Sequence, residues 1–438
     1  METTYIRTSV HHYYEPNKCK IEEVKKLLQE ARKACQTFID YLWNNEIKFV
    51  KHIKINGVKV EQEVVFNINK DLLECPLFIS TKDFEVEGLS QRLLKCIATQ
   101  SCGMVKASTE KRRKCLYIYE KLKSENKDLT KIEKTLQKFK LVKPSVPQIE
   151  QFSLEINSIC ADLQEIENSK ISAFIQLKSL GTNFNKFRLP IRYHKQSNKW
   201  KQKGVRLNSF LISHDRVSLR YKIEQKKRTE GRILGADQGK TTCLTFSDHQ
   251  QTPKNKHGHD LNSVLIRCSR CQKGSKGFKR AQEHRKNYIH WSIKQLNLNG
   301  VKQINFEEVM NIRYGKTNSR LMTHWAYTLI ENKVLELAEE TGVSVLMQSS
   351  TYRSQRCSNC GLVRKANRKG KVYKCKHCNF EEDADYNASC NHEIQLPDIP
   401  YALRCLNLNK GKGFFWKETG FFDFTSGEEI IVPHANKS

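Results

Sequence analysis

Residues 357–389 read CSNCGLVRKANRKGKVYKCKHCNFEEDADYNAS, with four cysteines in two C-x2-C pairs followed by four acidic residues within positions 381–385. The pairs Cys357/Cys360 and Cys375/Cys378 are separated by 14 residues. Four thiolates at that spacing suit a closed, tetrahedral zinc ribbon, a site that holds shape rather than performing chemistry. His377 stands beside a ligand, but a fifth donor is unnecessary. The carboxylates pose a separate problem, because grouped like charges repel unless cations or protons intervene. The stretch reads as two devices joined end to end.

Bulk properties narrow the partner. Lys and Arg number 76 against 47 Asp and Glu, a formal net charge of +29, which points to a polyanion and above all to nucleic acid. The N-terminus METTYIRTSVHHYYEPNK has no apolar signal region, and no run of about 18 apolar residues occurs anywhere, so neither export nor membrane insertion is expected. The expectation is a soluble, intracellular chain whose 16 cysteines are thiols and metal ligands rather than disulfides. Single cysteines such as Cys35, Cys96 and Cys160 sit at helical apolar positions and read as core. At 438 residues, two or more packed domains are expected.

The texture of the chain changes three times. Residues 3–14 are rich in β-branched and aromatic residues and predict a strand. Helical spacing from Ile21 through Leu42, a second basic helix at about 88–123, a charged hairpin-like pair to about 142 and a further helical stretch at 148–180 follow. After Gly181 come the short alternating segments FNKFRLPIRY, GVRLNSFLIS and RVSLRYKIEQ, the signature of an antiparallel sheet or small barrel. Residues 1–15 are expected to pair with 182–227, making the helices between them an insertion. From about 231, GRILGADQGKTTCLTFSD predicts strand, turn, strand. A basic helix at 272–298, strand VKQINFEEV, a helix at 319–341 and strand VSVLMQS complete an α/β layer. The tail after 395 carries no assignable pattern.

Three carboxylates stand at element ends of that layer. Asp237 ends the strand RILGA, Glu307 ends VKQINF, and Asp385 opens a helix that an Asp can cap. A single Asp at a strand end is ordinarily a turn former; three flanking one sheet are not. Gathered together they would repel, and two magnesium ions, hard cations that take oxygen ligands, are the natural remedy. A two-metal site in a basic protein suggests phosphodiester hydrolysis. Cys268 and Cys271, with His257 and His259 upstream, make a second C-x2-C, but the interval is irregular and two thiols on a basic segment are the plainer reading.

The motifs GADQG (235–239), INFEEV (304–309), SQRCSNCG (354–361), YKCKHCNFEEDADYNAS (373–389) and QKGSKGFKRAQEHRKNYIHWSIKQL (272–296) closely resemble TnpB proteins. These are transposon-encoded, RNA-guided DNA endonucleases whose descendants include compact type V CRISPR effectors. The match covers about 230–392.

The resemblance implies a multidomain α+β protein: a wedge β-barrel (1–15 and 182–228), a helical recognition domain (16–181), a RuvC-like, RNase H-like nuclease domain (229–353 and 381–394), a target-binding zinc ribbon (354–380) and a C-terminal tail (395–438). It maps Asp237, Glu307 and Asp385 onto the catalytic, magnesium-binding acids. Asp385 is preferred to Asp383 because the family pattern places the acid two residues before the Asn, here Asn387, which is expected to support the site. Lys273, Lys276, Lys279, Arg280, Arg285 and Lys286 would lie against phosphates, with a solvated basic helix as the plain alternative. Aromatics such as Tyr193 and Trp200 read as barrel core rather than base-stacking groups.

The implied partners are a guide RNA and a double-stranded DNA target flanked by a short protein-read motif, with a monomer or a homodimer on one guide. The implied location is the prokaryotic cytoplasm, at the nucleoid. The alternative is a guide-directed DNA-binding repressor, or a transposition accessory protein that does not cleave.

Overall fold

The computed structural model describes residues 2–431 except 56, 69–73, 85, 127, 142, 168 and 310–319. It divides into two units, Thr4–Glu224 and Gln225–Ser438 with the first three residues.

In the first unit, strand β1 (Glu2–His12) leads to helix α1 (Lys18–Asn44). Asn17 starts that helix by accepting the Cys19 N–H, satisfying one of the donors a helix N-terminus leaves open. Val24, Leu27, Leu28, Ala31, Ala34, Cys35, Phe38, Ile39 and Leu42 recur at helical spacing and are all buried. Helix α2 (Gln91–Ser124), capped by Ser90, packs on α1, and α3 (Thr130–Leu141) packs on α2. Between α1 and α2 lies a hairpin absent from the sequence reading, β2 (Ile47–Ile55) and β3 (Val58–Phe66), which turns at Gly57 with φ 83°.

The stretch 148–180 corrects the expectation of helix. It forms strands β4 (Leu154–Asn157), β5 (Ala161–Glu165) and β6 (Ala173–Leu177). Each is only four or five residues long, too short for alternation to outweigh a helical pattern, and cross-strand pairing decides the outcome. Strands β7 (Phe187–Ile191), β8 (Val205–Ile212) and β9 (Arg216–Lys226), with helix α4 (Lys195–Lys203), complete the unit.

As expected, the N-terminal strand joins the later ones, in a sheet ordered β1-β9-β8-β4; a second sheet runs β5-β6-β7. An isolated bridge from Tyr13 to Ile191 connects the two. Among the described residues the sheets stay open rather than closing into the expected barrel. Trp200 is buried, and the Tyr193 hydroxyl donates to Glu165, so both serve the fold.

The second unit is built on β10 (Arg232–Asp237), β11 (Thr245–Phe246), β12 (Val301–Glu308) and β13 (Ser344–Ser349), in the order β11-β10-β12-β13. Strands β10, β12 and β13 are parallel and β11 is antiparallel. Helices α5 (Leu261–Arg270), α6 (Lys276–Ile293), α7 (Arg320–His324) and α8 (Tyr327–Thr341) make this an α/β layer. The helix expected from 319 is broken between α7 and α8, and residue 319 itself lies outside the described residues. Leu234, Ala236, Ile304 and Phe306 of the sheet pack with Ile289, Ile293, Ile330 and Val334 of the helices.

Beyond β13, strand β14 (Leu362–Val363) precedes a small sheet of β15 (Arg368–Lys369), β16 (Val372–Lys374) and β17 (Glu381–Asp383). Helix α9 (Ala384–Glu393) follows, then α10 (Tyr401–Cys405), β18 (Phe414–Lys417) and β19 (Gly420–Asp423). The tail is not loose: β18 pairs with β14 and β19, and Trp416, Phe414 and Leu403 pack with Val363 and Leu396. Burying each such large side chain contributes roughly 1.5–3 kcal/mol. No helix among the described residues is long and apolar enough to cross a membrane.

Candidate metal centres

Asp237 is the last residue of β10 and Glu307 the penultimate residue of β12. Because those strands are parallel with Ala236 opposite Phe306, both carboxylates emerge at the same sheet end. Gly235 lets α9 approach there, since a Cβ at that position would lie 1.9 Å from the Ser389 carbonyl oxygen. Asn305 ties the other end of the helix by donating to the Glu393 carbonyl at 3.1 Å. Helix α9 thereby lies across β10 and brings Asp385, in its first turn and 4% exposed, to the same place.

Asp383 and Asp385 have separate duties. Asp383 is the N-cap of α9, its carboxylate accepting the Asp385 and Tyr386 N–H groups at 2.9 and 3.1 Å. Asp385 is bound instead by Arg368 at 3.1 Å and by Lys371. Asp383→Ala should cost about 1 kcal/mol of stability, a shift of about 2–4 °C in a thermal melt, while divalent-cation binding at the cluster is unchanged. Asn387 supports α9 differently from the sequence reading. Its side chain accepts the Ser358 N–H and donates to the Arg356 carbonyl, joining the helix to the first cysteine knuckle.

Charge at this end is tightly coupled. Burial, then Glu307 and then Asp385, hold the Asp237 carboxyl well above the ordinary carboxylate range, against the opposing pull of Arg368 and Lys371. Burial pushes Glu307 from the ordinary 4.5 up to about 7, although its carboxylate accepts the Gln238 N–H. Gln238 donates its amide to the Glu307 carbonyl, and its Oε1 is buried with no hydrogen-bond partner. Crowded acidic oxygens beside an unused amide oxygen form a donor set for hard cations.

Sequence reasoning missed three members of this environment. Arg368 and Lys371 come from the β15–β16 hairpin, Arg368 from β15 itself and Lys371 from the turn. His392, 1% exposed on α9, places a ring nitrogen within 4.8 Å of ligand oxygens of Asp237 and Glu307. A helical repeat was the available signal, because residues seven apart share a helix face and His392 is seven beyond Asp385.

The four cysteines converge. Sγ of Cys357 lies 3.7 Å from that of Cys378, and Sγ of Cys360 lies 3.6 Å from that of Cys375. A tetrahedron with Zn–S arms of about 2.3 Å has edges of about 3.8 Å, so the cluster has the size of a zinc tetrathiolate. Leu362, Tyr373 and Ala384 pack around it. The Cys360 thiol, the Cys360 and Asn359 N–H groups and the Cys378 thiol together pull Cys357 down to about 5 against the effect of burial. His377 stands apart, edge-on to Phe415 and Phe424.

The other candidates separate. The Cys268 thiol is buried against the Ala281 carbonyl at 3.3 Å, and neither it nor Cys271 joins a metal-sized group among the described residues. Lys273, Lys276, Lys279, Arg280 and Lys286 are exposed. Arg285 departs from the tract, being half-buried and donating to the His324 carbonyl at 2.6 Å.

A family profile described as Cas12f1-like, TNB domain, matches residues 327–392, from α8 to α9. The CRISPR-associated endodeoxyribonuclease Cas12f1 of Sulfoacidibacillus thermotolerans is 36% identical over 143 residues, 32% of either chain. The protein of the same name from Syntrophomonas palmitatica is 25% identical over 185 residues, 42% of this chain and 34% of its own. The aligned region thus spans about a third of the length of these curated relatives. A cryo-EM structure of a Cas12f1-sgRNA-target DNA complex aligns with TM-score 0.44 and 12% identity, covering 89% of this chain and 99% of that one. The resemblance that the cysteine and acid motifs carry is borne out by the family profile and the curated relatives: the chain resembles the TnpB-like, compact type V effectors.

Proposed function

We propose that this protein is an RNA-guided, magnesium-dependent DNA endonuclease of the RuvC type, using Asp237, Glu307 and Asp385 as its catalytic acids. The observation that carries the reading is the convergence of these carboxylates at one end of a parallel sheet, from three separated stretches of chain. The names of the curated relatives, endodeoxyribonucleases associated with CRISPR, support the same class. Two magnesium ions bound there would activate a water and stabilise the leaving oxygen of a phosphodiester. The chain's own residues prepare the place: burial holds the acids, Arg368 and Lys371 balance Asp385, and Gly235 seats α9. The cysteine cluster is the structural zinc site. The two exposed-lysine turns of α6 are the phosphate-facing surface, and guide pairing supplies the sequence information. The domain boundaries proposed from sequence are kept with one change: β4–β6, placed by sequence in the helical domain, belong with the open pair of sheets that stands where a barrel was expected.

The test is to purify the protein from cells carrying its native locus and sequence the RNA that stays bound. A defined RNA species is expected. Protein that retains only bulk cellular RNA would overturn guidance.

The raised carboxyls give a pH signature. Glu307 is protonated in the folded chain below about 7, where an unfolded Glu would already be ionised. Its contribution to stability is present below the ordinary 4.5 and is lost as pH rises through about 7. In buffer without added magnesium and without chelator, so that zinc is retained, the melting temperature should therefore fall between about pH 5 and 8, and millimolar magnesium should restore it at the upper end. A melting temperature flat across that range would contradict the buried, cation-requiring cluster.

A further inference from the structure

We propose that His392 is a nitrogen ligand to the cation held between Asp237 and Glu307, giving that position a preference for manganese over magnesium. The inference rests on the carboxylates being a cation site, and its test separates the two claims. Asp237, Glu307 and His392 offer ligand atoms that all lie within 4.8 Å of one another. Asp385, the third acid, is instead paired with Arg368 and Lys371, so the imidazole serves the Glu307 side of the cluster.

Topology makes the placement specific. Glu307 of β12 stands opposite Gln348 of β13, and Gln348 accepts a hydrogen bond at Oε1 from His392 Nδ1 at 3.2 Å. An amide oxygen can only accept, so Nδ1 carries the proton and Nε2 keeps its lone pair. This arrangement, one ring nitrogen oriented by a second residue and the other open, is the one metal-binding imidazoles use.

Ion preference follows from donor chemistry. Magnesium takes hard oxygen donors and octahedral geometry, whereas imidazole suits later first-row metals and Mn2+ accepts mixed nitrogen and oxygen sets. One nitrogen in an otherwise oxygen site therefore favours Mn2+.

The experiment is electron spin echo envelope modulation on the full chain loaded with Mn2+, prepared with natural-abundance and with 15N-labelled histidine. Expected are 14N modulation from one imidazole, its replacement by the 15N pattern on labelling, and its loss in His392→Gln with about tenfold weaker Mn2+ binding and magnesium binding changed less than about threefold. Because the wild-type spectra suffice by themselves, a His392→Gln chain that does not fold leaves the test intact. Mn2+ bound at the carboxylates with no nitrogen coupling overturns the histidine ligand alone. Failure to bind Mn2+, with Asp237→Ala and wild type alike, overturns the cation site beneath it.

Discussion

Stripping zinc, or replacing one thiolate by Cys375→Ser, should unfold residues 357–383 locally and abolish the ordered approach of α9. Structural zinc supplies about 10–16 kcal/mol of apparent binding free energy in small zinc domains, far more than the few short strands β15–β17 can supply alone. The damage should spread, because Asn387 holds α9 to Ser358 and Arg356, and Arg356 in turn donates to the Trp416 carbonyl of β18 at 2.8 Å. The measurements are zinc content by elemental analysis and hydrogen exchange. Expected are loss of zinc and of protection across 357–383 and the β14-β18-β19 sheet, with the β10–β13 sheet retained. Unchanged melting and full zinc content in Cys375→Ser would remove the ribbon from the account.

The second large effect belongs to the acids. Asp237→Ala or Glu307→Ala should lower DNA cleavage by more than about a thousandfold, since bound cations contribute several kcal/mol and each 1.4 kcal/mol is about tenfold. Guided DNA binding, measured by filter retention, should stay within about twofold, because neither side chain is part of a basic surface. The relief of repulsion should also leave the folded state no less stable. Equal loss of cleavage and binding would assign the residues to folding instead.

The two kinds of centre were legible in the sequence to different degrees. The four cysteines were plain, because a tetrahedral metal site demands such paired spacing and Cys357, Cys360, Cys375 and Cys378 lie within 22 residues. Asp237 and Glu307 were readable as strand ends, because the apolar runs RILGA and VKQINF announce buried strands. Asp383 and Asp385 lie only two positions apart, and only the capping bonds to Asp385 and Tyr386 N–H show which carboxylate is committed locally. His392 carried only the weak signal of standing seven residues beyond Asp385 on one helix; its meaning depends on Gly235 allowing α9 against the sheet. Arg368 and Lys371 were hidden among 76 basic residues. Strands β4–β6 escaped because short strands depend on distant partners, β4 on β8 across some fifty residues of chain. The C-terminal tail was opaque for the same reason: β18 acquires its place only by pairing with β14.

The most direct measurement is cleavage by the purified ribonucleoprotein of DNA matched to its retained RNA, in magnesium and in EDTA, beside unmatched DNA of equal length. Cutting at a defined position in matched DNA, in magnesium only and absent from Asp237→Ala, is the predicted result. Cutting that persists in EDTA or in Asp237→Ala, or that ignores the match, would contradict an RNA-guided nuclease built on Asp237, Glu307 and Asp385.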